Sequence, residues 1–365
     1  MGIIQNQTAM RGNISYLGDF DGVRVNNFTP VRLVLSLAVL YGHSFAVSKT
    51  PGFVDHISRA LQSTWIGEVA VNAFFVISGF LVTGSLVKRG VLEYVISRIL
   101  RVYPGLFVNI VLTILVTGLI ATTVSFTDFF TDPQTGEFFL NTTLVTKIQW
   151  YLPGTFEYNT RPAINGSLWT LPVEVRCYFV LVVLGIFGFL SNKFVANVLI
   201  AAIFLWGFLF PETMPLFGQN ENWLRVSLFF AVGVLFYVNR ATIPMMPMMA
   251  IACLIFYFYW QGKPYFNFIT SFALAYIVFF VVYKLPVLPL DRYLGDLSYG
   301  VYIYAWPAQQ IVEMIFPDHN PYQNGIISAV IVLSLAKLSW NYVEKPSLDL
   351  KKKIMAWHQS VLRTT

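Results

Sequence analysis

The sequence predicts an all-α polytopic membrane protein with about ten transmembrane helices and both termini cytoplasmic. Of its 365 residues, 56% are hydrophobic and only 12% charged, whereas a soluble domain carries about 25% charged residues. The apolar residues gather into runs near twenty long, the length that crosses a hydrocarbon core of about 30 Å. Aromatics reach 17%, Phe alone occurring 33 times, a composition suited to lipid-facing surfaces and interfacial belts.

Taken in order, the runs lie at about 28–47, 66–87, 102–124, 165–190, 194–211, 222–239, 244–261, 266–284, 296–315 and 324–343. Arg11, Asp19 and Asp21 precede the first of them and no small-residue cleavage site follows it, so residues 1–27 read as a cytoplasmic segment and the first span as uncleaved. Fifteen of the 24 Lys and Arg, among them Arg11, Arg24 and Lys351 to Lys353, fall in loops on the side that holds both termini. Six, among them Lys147 and Arg161, fall on the other side. The positive-inside rule therefore makes both termini cytoplasmic, in agreement with an even span count. The ten spans form one membrane domain at 28–343, and 344–365 is a basic cytoplasmic tail.

Connections are short except at 125–164, which this topology places outside. Loops of that length are usually functional or disordered. Its Trp150, Tyr151, Phe156 and Tyr158 suit packing against the bundle mouth, with contact to a sugar-like ligand the lesser alternative. Cys177 and Cys253 stand apart inside apolar runs, a spacing that suggests neither a disulfide framework nor a thiolate metal site. The net charge of +6 sets orientation rather than nucleic-acid binding, and no metal ligand set is expected.

Ionisable residues inside spans are costly and are functional candidates by default. Arg32 and His43 are eleven residues apart in the first span, so on a helix they share one face about 16 Å apart. A snorkelling arginine and a hydrogen-bonded core histidine would explain the pair equally well. A neutral histidine could also take a proton from an alcohol. Arg98 and Arg101, at i and i+3 in KRGVLEYVISRILRVYPG, project from one helix face at the membrane boundary. Topological anchoring accounts for them without a ligand, while two guanidiniums also match phosphate oxygens. Pro104 starts or kinks the next span. Glu174 enters a span beside Pro172, where a carboxylate can sit at interfacial cost or orient an imidazole across the bundle. Ser78 lacks a nucleophile elbow, and Gly79 and Gly300 read as sites of close helix approach.

The order of these motifs resembles that of the acyltransferase family 3 membrane proteins. Arg32 and His43 match the family's Arg-x10-His, and Arg98 and Arg101 its Arg-x-x-Arg. FFVISGFL (74–81), Trp169 to Glu174, SYGVYIY (298–304) and YVEKP (342–346) follow in family order. Where many relatives carry a second histidine after the SYxxYLW element, this chain has Ala305 and Trp306. Many members also carry an extracytoplasmic SGNH hydrolase-like domain, and no SGNH domain is expected here.

The resemblance implies an acyl-CoA-dependent O-acyltransferase in a bacterial inner (plasma) membrane, moving an acyl group, most often acetyl, to a cell-envelope polysaccharide or lipid-linked glycan. It implies acetyl-CoA or another acyl-CoA as cosubstrate, a carbohydrate acceptor, membrane lipid around the protein and polysaccharide-assembly proteins as partners. Arg32, Arg98 and Arg101 would hold the acyl-CoA phosphates. His43 would abstract the acceptor hydroxyl proton or carry the acyl group, with Glu174 orienting it. A secondary transporter or flippase for a glycan is the competing class, with Arg32, His43 and Glu174 as a proton or substrate path. A non-catalytic member of a polysaccharide-assembly complex is a third reading.

Overall fold

The computed structural model describes residues 14–23, 25–61, 64–144 and 148–364. Arg11, Arg24 and Lys147, which enter the charge asymmetry, lie outside the described residues, as does much of the 1–27 segment. The described chain is helical, with no strand beyond two isolated bridges, Tyr16 to Pro244 and Thr122 to Thr155.

In chain order the helices are α1 (Phe28–Val47), α2 (His56–Leu61), α3 (Ile66–Arg89), α4 (Val91–Ile120), α5 (Phe126–Thr131), α6 (Pro133–Phe139) and α7 (Thr170–Ile186). There follow α8 (Lys193–Leu209), α9 (Glu221–Val238), α10 (Pro247–Tyr259), α11 (Phe266–Lys284), α12 (Leu290–Tyr293), α13 (Ser298–Ile315), α14 (Pro321–Ser339) and α15 (Lys345–Thr364). A π-helical turn, Trp340–Glu344, joins the last two. Each of the ten apolar runs falls on one helix. Among the described residues, six segments are long and apolar enough to cross a membrane: α1, α3, α4, α9, α11 and the rod that α14 begins. Both α8 and α10 are apolar but shorter.

Packing concentrates on α3, which lies along α9, α1 and α7, while α13 lies along α14 and α1. The α3–α9 crossing is close because each helix offers a glycine. A Cβ at Gly79 would stand 2.1 Å from the Phe230 carbonyl oxygen, and one at Gly233 2.2 Å from that of Val76. Neither position admits a side chain without separating the helices. Gly300 plays the same part between α13 and α14, where its Cβ would meet the Ala336 Cα at 2.8 Å. Both glycines singled out in the sequence are thus packing residues.

Three local features depart from the sequence reading. Helix α4 begins at Val91, eleven residues before the expected span, and runs for 30 residues through Pro104. At 1.5 Å per residue it crosses a 30 Å layer with about three turns to spare. Pro104 neither starts nor ends it, so Arg98 and Arg101 stand on continuous helix. Within the basic tail, residues 345–364 form α15, packed on α4. The 125–164 segment contains α5 and α6, capped by the Ser125 hydroxyl, which accepts from the Asp128 N–H, and by the Asp132 carboxylate, which accepts from that of Gln134. Its Phe129, Phe138, Phe156 and Ile164 are buried, whereas Tyr151 and Tyr158 remain exposed. Packing accounts for Phe156 and leaves those two tyrosines outside it.

Candidate functional site

Helices α1, α3, α4, α7 and α13 together enclose a cavity of about 380 Å³ lined by Arg32, Arg98, Arg101, Ser78, Glu174, Tyr178, Asp296 and Tyr302 among others. Four of the five predicted site residues meet there. Their electrostatic surroundings differ sharply.

Arg32 comes from the second turn of α1 and Arg101 from the third turn of α4, and both reach one oxygen of Asp296. Arg32 Nη1 lies 2.7 Å and Arg101 Nη2 2.8 Å from its Oδ2. Arg101 Nη1 is also 3.4 Å from Glu344 Oε2, in the π turn. The remaining oxygens are satisfied as well: the Ser298 hydroxyl donates to Asp296 Oδ1 at 2.6 Å and the Ser339 hydroxyl to Glu344 Oε1 at 3.0 Å. Burial pushes the Asp296 carboxyl upward, but the guanidiniums of Arg101 and Arg32, with Ser298, prevail and hold it well below the usual carboxylate range. Two cations and two anions thus close a neutral, hydrogen-bonded cluster at one end of the cavity. A buried pair of this kind fixes geometry more than it stabilises, and it is fragile to the loss of one partner.

Arg98 stands one turn before Arg101 with a different environment. Its guanidinium lies 5.8 Å from the Tyr178 ring centroid. The Nε is buried without a hydrogen-bond partner, and among the described residues no carboxylate pairs with it. A half-buried cation without an anion is the arrangement that favours an incoming phosphate.

Glu174, on the second turn of α7, is engaged locally. The Ser78 hydroxyl donates to its Oε1 at 3.2 Å, the Tyr178 hydroxyl donates to the same oxygen, and the two hydroxyls lie 3.3 Å apart. These contacts make a polar knot between α3 and α7 on the cavity wall.

His43 lies outside this cavity's lining. It is 7% exposed and stands between two indoles, 4.8 Å edge-on from the Trp306 ring and 5.6 Å from that of Trp65. Trp65 is slotted between glycines, since a Cβ at Gly42 or Gly67 would come within 2.5 Å and 1.9 Å of its ring. Trp306 is anchored by its Nε1–H, which donates to the Ala163 carbonyl at 2.8 Å. The His43 Nδ1 is buried and unpartnered. Glu174, expected to orient this imidazole, is bound to Ser78 and Tyr178, while aromatic walls flank the histidine.

Sequence reasoning did not single out Asp296, Glu344, Trp65 or the role of Trp306. Asp296 lies two residues before the SYGVYIY motif and Glu344 inside YVEKP, both acidic residues at span ends. Trp306 directly follows Ala305, the place at which a second histidine was sought, and its indole is what meets His43.

Residues 27–338 match the family model described as an acyltransferase domain. The chain is 29% identical over 339 residues to a protein of Shigella phage Sf6 named O-acetyl transferase, a match that covers 88% of this chain and 95% of the relative. It is 26% identical over 372 residues to Nodulation protein 10 of Rhizobium leguminosarum bv. viciae, covering 92% and 96%. No solved structure matches the chain. With the signature arginines converging on one cavity and the family match running from α1 through α14, the chain belongs to the acyltransferase family 3.

Proposed function

We propose that the protein is an O-acyltransferase that takes an acyl group, acetyl in the first instance, from cytoplasmic acyl-CoA and delivers it to a hydroxyl of an extracytoplasmic envelope glycan. The observation that carries the reading is Arg98, a cavity-lining guanidinium that no carboxylate neutralises. The neighbouring Arg32 and Arg101 are already paired, so their part is to hold the wall, and Arg98 meets the donor diphosphate. The name of the phage relative, O-acetyl transferase, supports acetyl as the group moved. The inside-positive loops support a cytoplasmic donor mouth and both termini on that side.

The slender pantetheine arm threads from Arg98 along α1 toward His43, over the roughly 16 Å that separates residues 32 and 43 on a helix. There the unpartnered imidazole nitrogen accepts the proton of the acceptor hydroxyl as its oxygen attacks the thioester carbonyl. The carbon–sulfur bond breaks and coenzyme A leaves as the thiol. Trp65 and Trp306 exclude water and so disfavour hydrolysis of the thioester.

The test is transfer of labelled acetyl from acetyl-CoA to purified envelope glycan by the full chain in lipid nanodiscs. The expected result is incorporation that Arg98→Ala lowers about tenfold through a raised acetyl-CoA KM, one charge-assisted phosphate contact being removed. Absence of transfer with the wild-type chain and acetyl-CoA overturns the donor assignment. An unchanged KM in the variant returns Arg98 to membrane anchoring.

A further inference from the structure

At the mouth of the cavity, beyond Arg98, stand two more cations that the motif reading does not use. Arg89 ends α3 and Lys351 lies on the second turn of α15, and both line the cavity. They converge on one carboxylate oxygen, each 3.2 Å from Glu93 Oε1. The mouth therefore carries two positive charges for one negative, in contrast to the neutral cluster around Asp296. All three side chains are partly hydrated, at 51%, 21% and 25% exposed for Arg89, Lys351 and Glu93. Ion pairs this hydrated rearrange at little cost. Lys351 also lies past residue 338, where the family match ends, so α15 brings to the site a group the matched region lacks.

We propose that Arg89 and Lys351 form a subsite for a phosphomonoester at the nucleotide end of the donor, with Glu93 as the internal anion that the phosphate displaces. The proposal rests on the acyl-CoA reading above and deepens it. A donor with its thioester directed inward leaves its nucleotide at the mouth. Coenzyme A carries there a 3′-phosphate, a dianion separate from the diphosphate assigned to Arg98. A dianion facing two cations outcompetes one carboxylate for them. The Glu93 side chain then turns to solvent, which its partial exposure permits, so the unliganded mouth keeps its cations ordered without holding an ion.

The test is equilibrium binding of coenzyme A and of 3′-dephospho-coenzyme A to the full chain in nanodiscs, for wild type, Lys351→Gln, Glu93→Gln and a Lys352→Gln control on the exposed face of α15. Wild type is expected to prefer coenzyme A by about tenfold. K351Q should lose most of that preference by weakening coenzyme A alone, while E93Q should bind coenzyme A more tightly and K352Q should match wild type. The preference should shrink at high salt, since the mouth is hydrated. Equal affinities in wild type, or a preference that survives in K351Q, overturns the subsite and leaves the donor reading standing. Binding of neither ligand by wild type overturns both.

Discussion

The two ends of the segment from Arg32 to His43 solve the problem of burying polar groups in opposite ways. At the arginine end, Arg32, Arg101, Asp296 and Glu344 satisfy one another, with Ser298 and Ser339 taking the remaining carboxylate oxygens. At the histidine end, a ring nitrogen is left without a partner and the walls are indoles. Satisfied polar groups hold a shape, whereas an unsatisfied one in a dry pocket keeps its capacity for a reacting group. Under the proposed mechanism the contrast divides labour along one helix, structure at one end and chemistry at the other.

The sharpest way to break that division is His43→Ala, which should lower acyl transfer by at least about a hundredfold, the lower range for loss of a general base. Membrane insertion and thermal stability should stay near wild type. Transfer that survives would place the chemistry elsewhere. Next in size is Asp296→Asn, which strands the half-buried Arg32 guanidinium and leaves Arg101 only Glu344; it should cost about 2 kcal/mol of stability, read as a lowered midpoint in thermal unfolding of the purified protein.

The same carboxyl has a pH signature. Because its value is depressed in the folded protein, its contribution is fully present above the ordinary aspartate value of about 4 and fades as pH falls below it. The Asn variant should lack that part of the acid profile. An acid profile unchanged by the substitution would mean that Asp296 does not carry the cluster. The smallest effect is expected from Trp306→Phe, which keeps a ring beside His43 but removes the donor to Ala163. About 1 kcal/mol of stability should go with that hydrogen bond, and transfer should fall by less than for His43→Ala. A loss of transfer as large as that of His43→Ala would make the Trp306 N–H part of the chemistry instead of the wall.

Much of this architecture is written in local pattern. The apolar run at 28–47 is α1 to the residue, and every other predicted run lands on a helix, because a twenty-residue apolar stretch has few other solutions in lipid. The start of α4 was not legible. Residues 91–101 mix Glu93, Arg98 and Arg101 with Val, Leu and Ile, so hydropathy fades while helix propensity continues. The same dilution hides α15, whose lysines suggest a solvated tail. Within the site, the spacing of Arg98 and Arg101 located the cavity wall, but no spacing could show that Arg101 is neutralised and Arg98 is not. That distinction depends on Asp296 and Glu344, which are 195 and 243 residues away from Arg101 along the chain. Nor could a sequence show that Trp65 fits between Gly42 and Gly67, since the fit is a matter of shape.

The π-helical turn at Trp340–Glu344 acts as a phase adjuster for everything that follows it. Glu344 and Lys351 are seven residues apart, so on an α-helix their directions differ by only about 20°, and one azimuth presents Glu344 to Arg101 and Lys351 to Glu93. Wound as uninterrupted α-helix, the same five residues would advance about 100° each instead of about 80°, and both groups would turn about 90° away together. Hydropathy does not register that difference. The indexing of one five-residue turn thus decides whether the last helix of the chain addresses the cavity or the lipid.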